Sequence, residues 1–251
     1  MMMDQATKAQ TFRELHIKRT PLVLFNAWDA GSAAAVAKAG AAAIATGSWS
    51  VAAAQGFADG EALPMADALR TAAQIVAAVD LPVSVDFESG YGVDAAQVAQ
   101  NVGKLVDIGA IGLNLEDRVI GGKGLHEVAL QADRIAAIRE IASAKGVDLF
   151  INARTDVFFQ GSKEPLEDLM AEALTRAAAY QAAGADGLFV PGLNDLEPIA
   201  QICAAQSLPV NIMRAGQEIG DLAKAGVARV SHGPAPYISA MKALTSAAKE
   251  L

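Results

Sequence analysis

The feature that most constrains this chain is an alternation whose order never changes. Short runs rich in β-branched and apolar residues end in polar or glycine residues, and an alanine-rich amphipathic segment follows each one. Strands are expected over 22–26, 42–46, 82–87, 112–115, 149–153, 187–190, 209–213 and 229–231. Helices are expected after them, for example over 65–79, 95–108, 129–144, 165–183 and 236–249. Strands separated by helices run parallel, because each helix carries the chain back to where the next strand begins. Several helix ends share a phrase, seen in Lys38-Ala39-Gly40-Ala41, Asp107-Ile108-Gly109-Ala110, Ala183-Gly184-Ala185-Asp186 and Lys224-Ala225-Gly226-Val227. Glycine there supplies the left-handed residue that stops a helix before a strand.

About eight such units in 251 residues fit the length of a (β/α)8 TIM barrel. A doubly wound open sheet is the rival, but its glycine fingerprint is missing after the first strand, where the chain reads Asn26-Ala27-Trp28-Asp29-Ala30-Gly31. No linker divides the chain. The expectation is therefore α/β, a single (β/α)8-barrel domain over 1–251, with a short N-terminal helical segment at about 5–18.

Composition narrows the function classes. Hydrophobic residues make up 53%, enough for a large core, and the net charge of -8 argues against general affinity for nucleic acid. An acidic chain also gives no long-range attraction to anionic ligands, so a carboxylate or phosphonate would need a metal, an arginine or backbone amides nearby. The one cysteine, Cys203, suits a reducing compartment. The polar start lacks the apolar run of a signal peptide, and the apolar stretch 33–45 is short and broken by Lys38 and Gly40. A cytoplasmic protein that does not enter a membrane is expected.

Barrel chemistry sits at the C-terminal ends of strands. Those ends carry Asn26 and Asp29, Thr46-Gly47-Ser48-Trp49, Asp86 and Glu88, Glu116-Asp117, Arg154 and Asp156, Asn211, and Ser231-His232. Carboxylates converging in a low-dielectric pocket repel one another, and a hard divalent cation relieves that cost. Alternate strand residues share a face, which would point Asp86 and Glu88 the same way. Taken singly, each acid is explained as well by a helix cap or a buried ion pair. Together, Asp86, Glu88 and Glu116 favour an ion.

These residues fall in recognisable motifs. Val85-Asp86-Phe87-Glu88-Ser89-Gly90-Tyr91-Gly92 resembles the Asp-x-Asp-x-Gly-Tyr-Gly strand end of the isocitrate lyase/phosphoenolpyruvate mutase superfamily. Leu115-Glu116-Asp117 is similar to its Leu-Glu-Asp motif, and Asn152-Ala153-Arg154-Thr155-Asp156 to its Ala-Arg-Thr-Asp strand. The resemblance extends from Phe25-Asn26 to His232. It implies that Asp86 binds Mg2+ (or Mn2+) directly, that Glu88 and Glu116 hold the ion's waters, and that Arg154 binds the substrate carboxylate. The same resemblance assigns Ser48 and Trp49 to backbone-amide contacts with an oxo acid, Asp59 to a loop over the site, and Asn211 to substrate contact. The implied chemistry is an enolate of pyruvate or a related oxo acid, with the ion bridging enolate and carboxylate.

The mobile loop departs from the family. Isocitrate-type lyases carry Lys-Lys/Arg-Cys-Gly-His there, whereas this chain reads Gly121-Gly122-Lys123-Gly124-Leu125-His126, without a thiol acid. Leu125-His126 fits the end of the phosphonopyruvate enzymes' loop, but Lys123-Gly124 replaces its Asn-Ser portion. On the sixth strand, Val190-Pro191-Gly192-Leu193 lacks both the lyase glutamate and the mutase histidine. His126 is left as the candidate acid near the loop. The expected function is a carbon–carbon lyase or decarboxylase acting on a small α-oxo or hydroxy (di)carboxylate. The alternatives are a phosphonopyruvate-type phosphonomutase or hydrolase, and an oxo-acid-binding barrel without turnover. The resemblance further implies a homo-oligomer, dimer or tetramer, while charge and hydropathy lead to the expectation of no nucleic-acid or membrane partner.

Overall fold

In the computed structural model, which describes residues 3–161 and 163–250, eight parallel strands form one nearly closed barrel. They are β1 (Leu22–Leu24), β2 (Ile44–Ala45), β3 (Val83–Asp86), β4 (Gly112–Glu116), β5 (Phe150–Arg154), β6 (Gly187–Phe189), β7 (Val210–Met213) and β8 (Arg229–Ser231). The hydrogen-bonded order runs β1-β8-β7-β6-β5-β4-β3-β2. A parallel bridge between Ala27 and Thr46, just past the ends of β1 and β2, joins the two remaining edges. This is the TIM-barrel topology expected from the alternation.

Around the barrel lie α1 (Gln5–Glu14), α2 (Ala30–Lys38), α3 (Ser48–Ala54), α4 (Met65–Ala78), α5 (Ala95–Asp107), α6 (Val128–Ala144), α7 (Val157–Gln160), α8 (Leu166–Ala182), α9 (Leu196–Ala205), α10 (Ile219–Lys224) and α11 (Ala235–Ala248). The repeated glycine phrase performs the stop assigned to it. Gly40, Gly109, Gly184 and Gly226 all take φ between 93° and 100°, a conformation costly for other residues. At the other end, Asp29 accepts from Ser32 N at 2.7 Å in a capping box, and Asp94 caps α5 by accepting from Ala96 N and Gln97 N.

Helix α1 closes the N-terminal end of the barrel. Its Phe12 is fully buried, meets Phe150 edge-on with ring centroids 5.4 Å apart, and lies where a Cβ on Gly112 would come within 3.3 Å of it. Gln5 ties the helix down by donating to the carbonyls of Val106 and Ala110 at 2.8 and 3.0 Å. Arg13 pairs with Asp148 and Asp186 at 2.8 and 2.7 Å. With the floor covered, the open end is the C-terminal mouth. Among the described residues no helix is long and apolar enough to cross a membrane.

Candidate active site

The inward faces of the strands stack a polar layer beneath the mouth. Alternate residues share a face, so Asn114 lies below Glu116 on β4, Asn152 below Arg154 on β5, and Asn211 below Met213 on β7. Asn152 donates to Asn114 Oδ1 at 2.9 Å, and the fully buried Arg229 donates to the same oxygen at 3.2 Å. Asn114 in turn presents its amide to Asp86 at 3.3 Å. Asp86, the last residue of β3, is also held by Ser48, whose backbone N–H and hydroxyl donate to Oδ2 at 3.0 and 2.8 Å. Ser48 opens the short α3. Its amide was expected to face an oxo acid, and in the structure it is committed to Asp86 instead.

Glu88 arrives by another route than strand alternation. β3 ends at Asp86, and Glu88 has left-handed backbone at φ 50°, uncommon for a residue with a side chain. Its Oε2 accepts from Gly60 N at 2.8 Å and Glu61 N at 2.6 Å, while Glu61 Oε1 accepts from Tyr91 N at 2.8 Å. The loop bearing Asp59 is thereby clasped to the turn after β3. Burial, opposed by the Glu61 amide and reinforced by the charges of Asp59, Asp86 and Glu61, pushes Glu88 up to about 7. Burial and then the charge of Asp86 push Asp59 up as well, against Arg154 and Arg118.

Glu116 and Arg154 are register partners across β4 and β5. Arg154 donates from Nε and Nη2 to the two oxygens of Asp156 at 2.6 and 2.9 Å, and its Nη1 lies 2.8 Å from Glu116. Burial pulls the guanidinium down, but Glu116, Asp156 and Asp86 outweigh it and keep it charged. Burial raises Glu116, with Arg154 opposing and Asp156 and Asp86 adding to the rise. Asp117 does not face the mouth. It is fully buried and braces the site from behind, taking Tyr180 Oη at 2.7 Å and Asp156 N at 3.0 Å.

A cavity of about 190 Å³ opens at the mouth, lined on one side by Ser48, Asp59, Asp86 and Arg154, and on the other by Phe159, Phe189, Pro191 and Met213. Trp49 also lines it and is 40% exposed. Four expected residues stand outside this lining, among them Glu88, which is held in the turn after β3 by the Gly60 and Glu61 amides. Asn211 is buried one layer down, with neither end of its amide bonded to a protein partner. His126 is buried, and its backbone braces Asp117 and Arg176 at 2.7 and 2.8 Å. Glu116 lies beneath Arg154 and is 3% exposed. The chain after Asp117 makes a tight hairpin, with Val119 N donating to Gly124 O at 3.1 Å and Gly121 and Gly124 at positive φ. Cys203 is buried on α9, where burial pushes its thiol up to about 11. Sequence reasoning missed Asn114, whose one signal was its place two residues before Glu116 on the same face.

Comparison with known proteins agrees with this fold. The family model for phosphoenolpyruvate phosphomutase matches residues 12–251. The crystal structure of a candidate phosphonomutase from Burkholderia cenocepacia J2315 superposes with a TM-score of 0.95 at 51% identity, covering 98% of this chain and 99% of that one. An uncharacterized protein of Mycobacterium tuberculosis is 35% identical over 95% of this chain and 88% of its own length. Oxaloacetate decarboxylase of Pseudomonas savastanoi is 30% identical over 75% of this chain, a match spanning 65% of that enzyme. The chain belongs to the phosphoenolpyruvate mutase/isocitrate lyase superfamily, whose members are Mg2+-dependent enolate-forming enzymes.

Proposed function

We propose that the chain is a Mg2+-dependent lyase that breaks a carbon–carbon bond in a small 2-oxo or 2-hydroxy acid. The observation that carries this reading is the convergence of Asp59, Asp86 and Arg154 on one cavity at the barrel mouth. Oxaloacetate decarboxylases among the relatives support carbon–carbon cleavage.

The donor set fits a magnesium ion. Its groups are hard oxygens, and burial, reinforced by the charges of Asp59 and Asp86, pushes Glu88 up to about 7. Among the described residues no three acidic, histidine or cysteine side chains form a ready coordination shell. Magnesium takes few direct carboxylates and keeps several waters. Asp86 would hold it, with Glu88 and Glu116 bonding to its waters. Such an ion supplies Lewis-acid stabilisation of negative charge developing on the oxo oxygen.

The chain's own groups do the rest. Arg154 has five N–H donors, and those not taken by Asp156 and Glu116 orient the substrate carboxylate. Ser48 and Asn114 fix the direction of Asp86. Asp59, 3.4 Å from the Ser48 hydroxyl, holds a proton more readily than an ordinary aspartate and moves it to or from the reacting carbon skeleton. Product analysis after incubation with 2-oxo and 2-hydroxy acids and with phosphonopyruvate, in Mg2+ and in EDTA, tests the reading. Mg2+-dependent release of pyruvate or a homologous oxo acid is expected. Turnover confined to phosphonopyruvate overturns the assignment.

A further inference from the structure

The cavity is divided by chemistry. Toward β3 and β5 it presents Asp59, Asp86 and Arg154, and toward β6 and β7 it presents Phe189, Pro191 and Met213, with Phe159 at the rim. Among the described residues that line it, Arg154 is the one cation, and two acids already share its charge. No second basic group stands across the cavity to receive a second anion. The wall toward β6 and β7 has carbon and a thioether instead, with only the uncharged Asn26 and Ser231 beside it, and an unpaired carboxylate or phosphonate brought against it would lose hydration without a counter-charge.

The backbone holds this apolar wall in place. Gly192, at φ 88°, brings the chain after β6 so close to Phe159 that a Cβ there would sit 2.9 Å from the ring. Phe189 is 5% exposed and lies under Arg154, whose guanidinium carbon is 5.8 Å from the ring centroid. One face of Phe189 thus backs the carboxylate-binding group while the ring forms part of the opposite wall. Gly233 packs so closely on Met213 that a Cβ would come within 2.6 Å of its sulfur.

We infer that the ligand is a 2-oxo acid with a single carboxylate and an uncharged remainder: a C4 hydroxyl gives up its proton to Asp59 and becomes a carbonyl as the C3–C4 electron pair passes to the enolate, and the apolar end lies against Phe159, Phe189, Pro191 and Met213. The inference rests on the reading of Asp86 and Arg154 as the carboxylate end of the site. It separates this chain from a relative named for oxaloacetate, whose second carboxylate would meet the apolar wall.

Calorimetric binding to the whole protein in Mg2+ tests it, with oxalate, pyruvate, 2-oxobutyrate, 2-oxopentanoate, 2-oxohexanoate, 2-oxoglutarate and phosphonopyruvate as probes. Affinity is expected to rise roughly threefold to fourfold per methylene from pyruvate upward, the value of burying one such group. 2-Oxoglutarate, which matches 2-oxopentanoate in carbon number, is expected to bind at least about tenfold more weakly, as an unpaired buried charge requires. Oxalate binding with a flat alkyl series, or with 2-oxoglutarate or phosphonopyruvate the tighter ligand, overturns the inference and leaves the lyase reading standing. Failure of oxalate to bind in Mg2+ overturns both. A second measurement uses Phe159→Lys, at a half-exposed position, with folding checked by its melting temperature without ligand. The preference for 2-oxopentanoate over 2-oxoglutarate is expected to shrink at least about tenfold, and an unchanged ratio removes Phe159 from the wall.

Discussion

Arg154 must hold two neighbouring acids and still have hydrogens left for a ligand. Its Nε and Nη2 engage Asp156 and its Nη1 faces Glu116, so the planar fork is the property that matters, more than the charge. Arg154→Lys keeps the charge but cannot satisfy both acids and a substrate. Its kcat/KM on whichever oxo acid is turned over is expected to fall by roughly 10²-fold, the scale of a misplaced substrate, and steady-state kinetics measure it. A value within a few-fold of the parent enzyme would mean that point charge suffices. Asp86→Ala is expected to abolish the Mg2+-dependent rise in melting temperature that oxalate produces. A retained rise takes Asp86 out of the ion site. The acids at the strand ends were legible in the sequence because parallel barrels display those ends, and the order of motifs did the rest. The route of Glu88 was not, since it depends on one left-handed residue beyond β3 and on amides 27 and 28 residues upstream in the Asp59 loop. The depth of Asn211 and of His126 was not legible for a similar reason. A strand residue one layer down and a residue just past a hairpin read alike in sequence, but neither reaches the cavity.

At the scale of elements, α1 is the least barrel-like part and carries a titratable group. His16 follows it, stacked on Phe150 with ring centroids 4.1 Å apart and Nδ1 bonded to Phe12 O at 2.7 Å, which leaves Nε2 buried without a partner. Burial, followed by the charge of Arg229, pulls its pKa down to about 3. Unfolded, the imidazole takes a proton near 6.5. The stability from the neutral ring is therefore complete above about pH 6.5 and drains away as pH falls from there toward 3. Between pH 6.5 and 4.5 the loss from this group is about 2 kcal/mol. Denaturant unfolding across that range should show the slope, and His16→Phe should flatten it. Phe12→Ala, which empties the plug itself, is expected to cost about 3–5 kcal/mol in the same measurement. A helical segment was expected at about 5–18, and the helix spans Gln5–Glu14. Its function as a floor was not, because the contacts of Phe12 with Gly112 and Phe150 join residues about 100 and 138 positions apart.

For the molecule as a whole, the alternation of strands and helices dictated the barrel, and the glycine stops repeated it often enough to read. What the alternation could not convey was the inner face of the mouth, where residues from all eight strand ends line the cavity. If Mg2+ and oxalate bind there together, mass action raises stability by about 2.7 kcal/mol at a hundred times the dissociation constant. For a chain of this length that corresponds to a melting temperature roughly 5–10 °C higher, measurable by scanning calorimetry. EDTA should return it to the starting value. The α1 floor has one more consequence. A chamber sealed at its base has a single doorway, so fragments must leave in the order in which they stand. The piece resting on Phe159 and Trp49, both partly exposed at the rim, departs first. The acid held by Arg154 departs last, and should be the product that competes directly with incoming substrate while the other does not.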